Sequence, residues 1–208
     1  LVVHGASTLT NVTLVDVLVA AGVSLQGGDQ DRLGIIHRLD QFTEGVMVLA
    51  KSESAFLGIQ QQFKDRVVSK KYYAVLHGVL AAHEGVIDRP IGRDAAVRAR
   101  QSCHHYVEGT GKAAKTMYKV LQQFTNISFV DVELYTGRTH QIRVHFSSMN
   151  CPVLGDSLYS KQPKKPEGYY LQSYFLAFSH PVSGECLQFK LPVSDRLKKY
   201  AGNDSHAK

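Results

Sequence analysis

The sequence predicts an α+β fold: a largely antiparallel, mixed sheet with flanking helices and loops around a central catalytic cleft. Three observations carry this expectation. Strand-like runs are many and short, helical periodicity is confined to a few segments, and strand does not alternate with helix as a parallel sheet would require. With 208 residues and 44% hydrophobic content the chain can bury a sizeable core, as one large domain or two small lobes.

Taken in order, Leu14, Val17, Leu18 and Ala21 recur at i, i+3, i+4 and i+7 behind the cap candidates Asn11 and Thr13, and Gly22 supplies a stop. That spacing predicts a short amphipathic helix. Residues 23 to 34, rich in Gly, Asp and Gln, read as a loop, and Val46 to Ala50 as a strand covered on both faces. A second helix is expected over about 53 to 65, with Ser52 as N-cap, Glu53 favouring the helix dipole, and Phe56, Ile59 and Phe63 as its apolar stripe. Lys71 to Leu76 suits another strand. Residues 92 to 115 carry glycines, histidines and the cations Arg93, Arg98, Arg100, Lys112 and Lys115, and predict an exposed loop or mobile hairpin.

Thr116 to Gln122 and Ile127 to Tyr135 are strand-like. In the second, Val130, Val132 and Leu134 alternate with Asp131 and Glu133, so one face is expected to be wet. Thr139 to Met149 fits both periods, and we assign it as helix because Thr139 can cap its start while Asn150 and Pro152 can end it. A loop from Lys161 to Gly168 then leads to strands near 170 to 178 and 186 to 191.

The formal charge of +6, from 24 basic against 18 acidic residues, favours a polyanionic partner such as nucleic acid. Cys103, Cys151 and Cys186 are odd in number and widely spaced, which argues against a disulfide framework or a zinc ribbon and fits a reducing cytoplasm. Neither a leader peptide nor a run of 18 apolar residues is visible, so no membrane span is expected. The chain opens on Leu1 rather than Met, as a piece from within a longer gene product would.

Three stretches can carry chemistry. His37-Arg38-Leu39-Asp40 sets three ionisable groups between apolar runs, where a desolvated carboxylate needs a cationic partner. Lys70-Lys71-Tyr72-Tyr73-Ala74 puts two cations before two aromatics in a strand, and Gly137-Arg138-Thr139-His140-Gln141-Ile142-Arg143-Val144-His145 groups cations at a predicted helix start, where anions are favoured.

These segments, in this order, resemble the signature of the RluA-type family of RNA pseudouridine synthases: H-R-L-D-x-x-T-S-G, K-x-Y-x-A, and G-R-T-H-Q-I-R-V-H. The likeness extends over roughly residues 1 to 195 and includes Pro152 to Asp156 and Leu158-Tyr159. One position departs from it, because Glu44 stands where the family usually has serine. The resemblance implies one catalytic domain over 1 to 208, without the S4-like RNA-binding domain that precedes it in some members. It implies isomerisation of specific uridines to pseudouridine in structured ribosomal or transfer RNA, by a cytoplasmic monomer that needs neither metal nor cofactor.

On that resemblance Asp40 is the catalytic aspartate, acting at C1′ of the sugar, at C6 of the base or on a ribose proton. Arg143 pairs with it, and Tyr72 lies against the uracil ring. Arg38 enters the RNA stack in place of the extruded base, while His37, Arg138 and Thr139 are expected to contact substrate. An ionised carboxylate can serve as nucleophile or base, and a guanidinium beside it favours that form. Metal catalysis fits poorly, since His104-His105 and His140 to His145 lack ligand spacing and nearby acids. The main alternative is a non-catalytic RNA-binding module, which would keep the basic face but have no use for an aspartate paired with Arg143.

Overall fold

A computed structural model of the chain describes residues 12–29, 33–161 and 167–202. In order it contains α1 (Leu14–Ala20), β1 (Glu44–Gly45), α2 (Glu53–Asp65), β2 (Ser69–His77), β3 (Glu84–Asp88), β4 (Gly92–Arg93), β5 (Gln101–Ser102), β6 (Lys115–Gln123), β7 (Ile127–Leu134), α3 (Gln141–Ser147), β8 (Leu171–Ser179), β9 (Cys186–Lys190) and α4 (Asp195–Ala201). Among the described residues seven strands form one sheet in the order β1-β8-β2-β7-β6-β3, with β9 paired to β8, and β4 and β5 form a separate small hairpin. Each neighbouring pair is antiparallel except β1 with β8. The α+β expectation holds, including the mixed but largely antiparallel sheet.

Alternation along the central strand β2 divides the core. Tyr72, Ala74 and Leu76 point to the face covered by Ile142 and Phe146 of α3, where Tyr118, Val130 and Val132 join them. Val75 points to the opposite face, against Phe129, Tyr170 and Leu197 of α4. A third cluster seats Ile59 of α2 on Leu176 and Phe178 of β8. The predicted caps of the first two helices hold: Thr13 forms a capping box with Asp16, and Ser52 accepts the Ala55 N–H. Asn11, the other cap candidate, lies outside the described residues.

Three expectations need correction, and two elements had no expectation. Val46 to Ala50 is mostly half-buried extended chain rather than a continuous strand, because its amides go to three different partners: the end of the β1–β8 pairing, a histidine ring and an isolated bridge. Val46 donates to the Ser173 carbonyl at 2.8 Å, Val48 to His37 Nε2 at 3.0 Å and Ala50 to the Gly34 carbonyl at 2.9 Å. Thr139 does not cap α3. His140 holds that position with φ 57°, and the first turn is tied instead by Gln141 Oε1, which accepts from the Thr136 hydroxyl and the Arg138 N–H. The Asp131 side of β7 is only partly open to water: Tyr174 lies stacked on Tyr73 at 3.8 Å and donates its hydroxyl to Asp131 at 3.0 Å, while the Glu133 side chain stays 36% exposed. Finally, β3 and α4 were not anticipated; each is short, and Gly85 interrupts the apolar pattern of β3.

The link from residue 34 to 50 presents the first motif, and two devices hold it. Gly45 has φ +125° and lies so close to the Ser173 carbonyl that a Cβ would collide with it. Behind the loop, His37 stacks on Phe63 of α2 at 4.8 Å while its Nε2 accepts the Val48 N–H. Burial first, and then the charge of Lys70, push the His37 pKa down from 6.5 to about 4.

Two outcomes follow. Gly45→Ala should lower stability by about 2–3 kcal/mol, through both backbone strain and collision with β8; a urea midpoint equal to wild type would exclude this. His37 is neutral in the fold above about pH 4 yet protonates near 6.5 when unfolded, so the unfolded chain binds the proton first and acidification destabilises. Stability should therefore be fully present above pH 6.5 and fall by about 2 kcal/mol as pH drops toward 4. Urea midpoints measured across that window should slope less in His37→Gln, and equal slopes would remove the assignment.

Candidate active site

The Leu39 and Phe42 side chains anchor the loop that carries Asp40 by packing on the main core cluster. Phe42 meets the Tyr169 ring edge-on at 5.6 Å, and the Thr43 N–H closes a turn onto the Asp40 carbonyl at 2.9 Å. Asp40 is thereby held with its side chain only 20% exposed, at the wall of an open cleft of about 440 Å³.

From the other wall, α3 delivers Arg143. Every residue from Gln141 to Phe146 is buried, so the short helix is fixed by its surroundings along nearly its whole length. The guanidinium gives two N–H groups to Asp156, Nε to Oδ2 at 2.7 Å and Nη2 to Oδ1 at 3.1 Å, and Nη1 faces Asp40 Oδ2 at 3.3 Å. Asp156 is 1% exposed and also accepts the Leu158 and Tyr159 amides at 3.0 and 3.3 Å. Tyr169 and Tyr159 present their rings to the guanidinium at 4.3 and 5.0 Å. Burial opposes the charge on Arg143, but the Asp156 hydrogen bonds and the surrounding negative charges outweigh it and raise its pKa. This is a buried pair with a bidentate geometry, the arrangement in which an ion pair can survive desolvation.

Tyr72 enters from β2. The β2–β8 register shifts between Lys71 and Tyr72, so Tyr72 pairs with Ser173 while Lys71 pairs with Phe175, and Tyr174 is left over. Such a bulge re-aims side chains beside it. Tyr72 and Asp40 line the same cleft, and burial, with a smaller contribution from the Asp40 charge, pushes the phenol up to about 12.

The remaining sequence-predicted residues also line the cleft: Arg38, His37, Arg138 and Thr139. Arg38 and Thr139 are exposed. Arg138 is half-buried and donates its Nε to the Ala113 carbonyl at 3.0 Å, which ties it to the base of the β4–β5 hairpin. His37 sits here with its Nε2 already engaged by Val48. Two participants escaped sequence reasoning. Asp156 entered only as part of the Pro152–Asp156 likeness, with no role attached to it. His140, whose Nδ1 lies 2.7 Å from the Tyr159 hydroxyl, is kept below its ordinary pKa chiefly by burial, with Arg143 and Arg38 acting the same way and Asp40 and Asp156 opposing. Among the described residues no three His, Cys, Asp or Glu side chains gather as a metal site would require, and no helix is long and apolar enough to cross a membrane.

Comparison with known proteins agrees with this geometry. Residues 19–148 match the family model described as RNA pseudouridylate synthase. The chain is 38% identical over 207 residues to the uncharacterized RNA pseudouridine synthase YlyB of Bacillus subtilis, covering 98% of this chain and 66% of that protein. It is also 38% identical over 210 residues to ribosomal large subunit pseudouridine synthase D of Neisseria meningitidis, covering 95% of this chain and 54% of that one. The chain thus spans just under two thirds of the first relative and about half of the second. Among solved structures, human RNA pseudouridylate synthase domain containing 1 superposes with a TM-score of 0.73 at 26% identity, over 86% of this chain and 74% of that one. The motifs, the sheet that arranges them and the match across most of their span agree: this chain belongs to the RNA pseudouridylate synthase family.

Proposed function

We propose that the protein isomerises uridine to pseudouridine in RNA, with Asp40 as the catalytic residue. The observation that carries this reading is the carboxylate of Asp40 in an open cleft, 3.3 Å from an arginine already fixed by a second, buried carboxylate, with a tyrosine lining the same cleft. The reaction breaks the bond from C1′ to N1, turns the uracil, and joins C1′ to C5; N1 gains a proton and C5 loses one, so nothing is consumed. An ionised carboxylate serves each of the routes open to Asp40, whether attack at C1′, attack at C6 or removal of a ribose proton.

Tyr72 takes the uracil face in this scheme. With its phenol pushed up to about 12 it remains a neutral hydroxyl at physiological pH, so it offers stacking and a hydrogen bond rather than a phenolate base. Arg38, exposed at the cleft edge, is placed to fill the gap left by an extruded base, a step that offsets part of the few kcal/mol lost in unstacking. The relatives named for the large ribosomal subunit support ribosomal RNA as the substrate class. The basic hairpin from residue 92 to 115 is the surface we assign to phosphate contacts beyond the cleft.

Two measurements test the site. Asp40→Asn should abolish pseudouridine formation in transcribed large-subunit ribosomal RNA while leaving the fold and RNA affinity near wild type, and turnover within about tenfold of wild type would sink the assignment. Asp156→Asn should cost about 3 kcal/mol of stability, because it leaves a buried guanidinium with one carboxylate in place of two. An Asp156→Asn protein with wild-type urea midpoint and activity would show that Asp156 does not hold Arg143 in place.

A further inference from the structure

Lys70 is a largely buried residue whose ammonium opens onto the cleft. It is 6% exposed, yet no hydrogen bond or ion pair reaches its ammonium from any described residue. The groups acting on it are the Phe63 ring, 5.4 Å from its Nζ, and the like charge of Arg66. Among the described residues no acid faces this ammonium, so an anion entering the cleft would gain from pairing with it.

Its position says what that partner is. Lys70 and Tyr72 share one face of β2, two residues or about 7 Å apart, and both line the cleft that holds Asp40. Among the described residues seven side chains charged at neutral pH line this cleft. Arg38, Lys64, Arg66, Lys70, Arg138 and Arg143 are cations, and Asp40 is the sole carboxylate. Lys64 and Arg66 come from the end of α2 beside Lys70, and Arg66 holds a left-handed backbone at φ 60°, a position that glycine occupies at least cost.

We propose that Lys70, flanked by Lys64 and Arg66, is a phosphate subsite that grips the RNA backbone phosphodiester next to the nucleotide whose base lies on Tyr72. This inference rests on the function proposed above. A nucleotide's phosphate lies several ångströms from its base, which is the spacing between Tyr72 and Lys70. Burial first, and then Arg66, pull the Lys70 ammonium below its ordinary pKa range. A bound phosphate, carrying negative charge and acceptor oxygens, relieves both effects. Lys70 would act by positioning: it fixes which nucleotide reaches Asp40 and takes no part in bond making.

The first readout is stability. Lys70→Met removes a charge that partial burial and Arg66 disfavour and keeps the side-chain length, so its melting temperature should equal or exceed that of wild type, with a gain of about 2–4 °C per kcal/mol recovered. A structural lysine would give the opposite sign. The second is binding of uridine 3′,5′-bisphosphate and of uridine, measured by calorimetry. Wild type should prefer the bisphosphate by about tenfold or more, Lys70→Arg should retain most of that preference, and Lys70→Met should lose it while binding uridine as wild type does. Equal binding of the two probes by wild type, or an undiminished preference in a folded Lys70→Met, overturns the subsite. Conversion of transcribed ribosomal RNA by wild type, run in parallel, separates the two ideas. Conversion without phosphate discrimination removes this inference alone, whereas discrimination without conversion removes the proposed reaction and leaves the subsite standing.

Discussion

The guanidinium of Arg143 is the group on which the site depends. It is shared by two carboxylates of different character: Asp156, 1% exposed and bound through two N–H groups, and Asp40, facing the cleft and reached through Nη1. A buried charge pair is tolerated when geometry and additional hydrogen bonds replace lost water. Here the Leu158 and Tyr159 amides and the two tyrosine rings supply that replacement. Because Asp156 orients the guanidinium, Asp40 meets a cation already in place. Arg143 is therefore as much a structural residue as a functional one, and replacing it would leave Asp156 buried without its partner.

The sheet makes that arrangement possible by bringing distant segments to one face. Asp40 comes from the loop ahead of β1, Tyr72 from β2 and Arg143 from α3, and 103 positions separate Asp40 from Arg143. Parallel pairing of β1 with β8 at Gly45 and Ser173 fixes the far end of the Asp40 loop, while the bulge opposite Tyr72 adjusts β2 against the same strand. One strand thus sets the relation between the loop that carries the carboxylate and the aromatic beside it. Glu44, where the family usually has serine, fits this frame: its Oε1 accepts the Ser194 hydroxyl at 2.6 Å and so ties β1 to the start of α4.

What was legible in the sequence was what periodicity and local chemistry encode. The helix over Glu53–Asp65 was visible because its cap and apolar stripe lie within one short stretch, and β2, β6 and β7 because alternation and β-branched residues mark them. The motifs placed Asp40, Tyr72 and Arg143 in one site, and the cleft contains all three. Val46 to Ala50 misled because an apolar run signals burial rather than ladder pairing, and its amides are claimed by a histidine ring and a loop carbonyl remote from any alternation signal. Asp156 was hidden for a related reason: nothing in Gly155-Asp156-Ser157 distinguishes a turn carboxylate from one that reaches across to α3.

Charge balance within the cleft connects these parts. Asp156 neutralises Arg143 inside the protein, so the Asp40 charge is left over at the wall and is balanced by the cations that line the cleft around it. Their excess over acid matters for a polyanion: a cleft whose positive charges were all cancelled by its own carboxylates would repel or ignore a phosphate backbone. Holding the Asp40 carboxylate with a cation already paired from behind lets the cleft keep one anion in place while its remaining cations attract another.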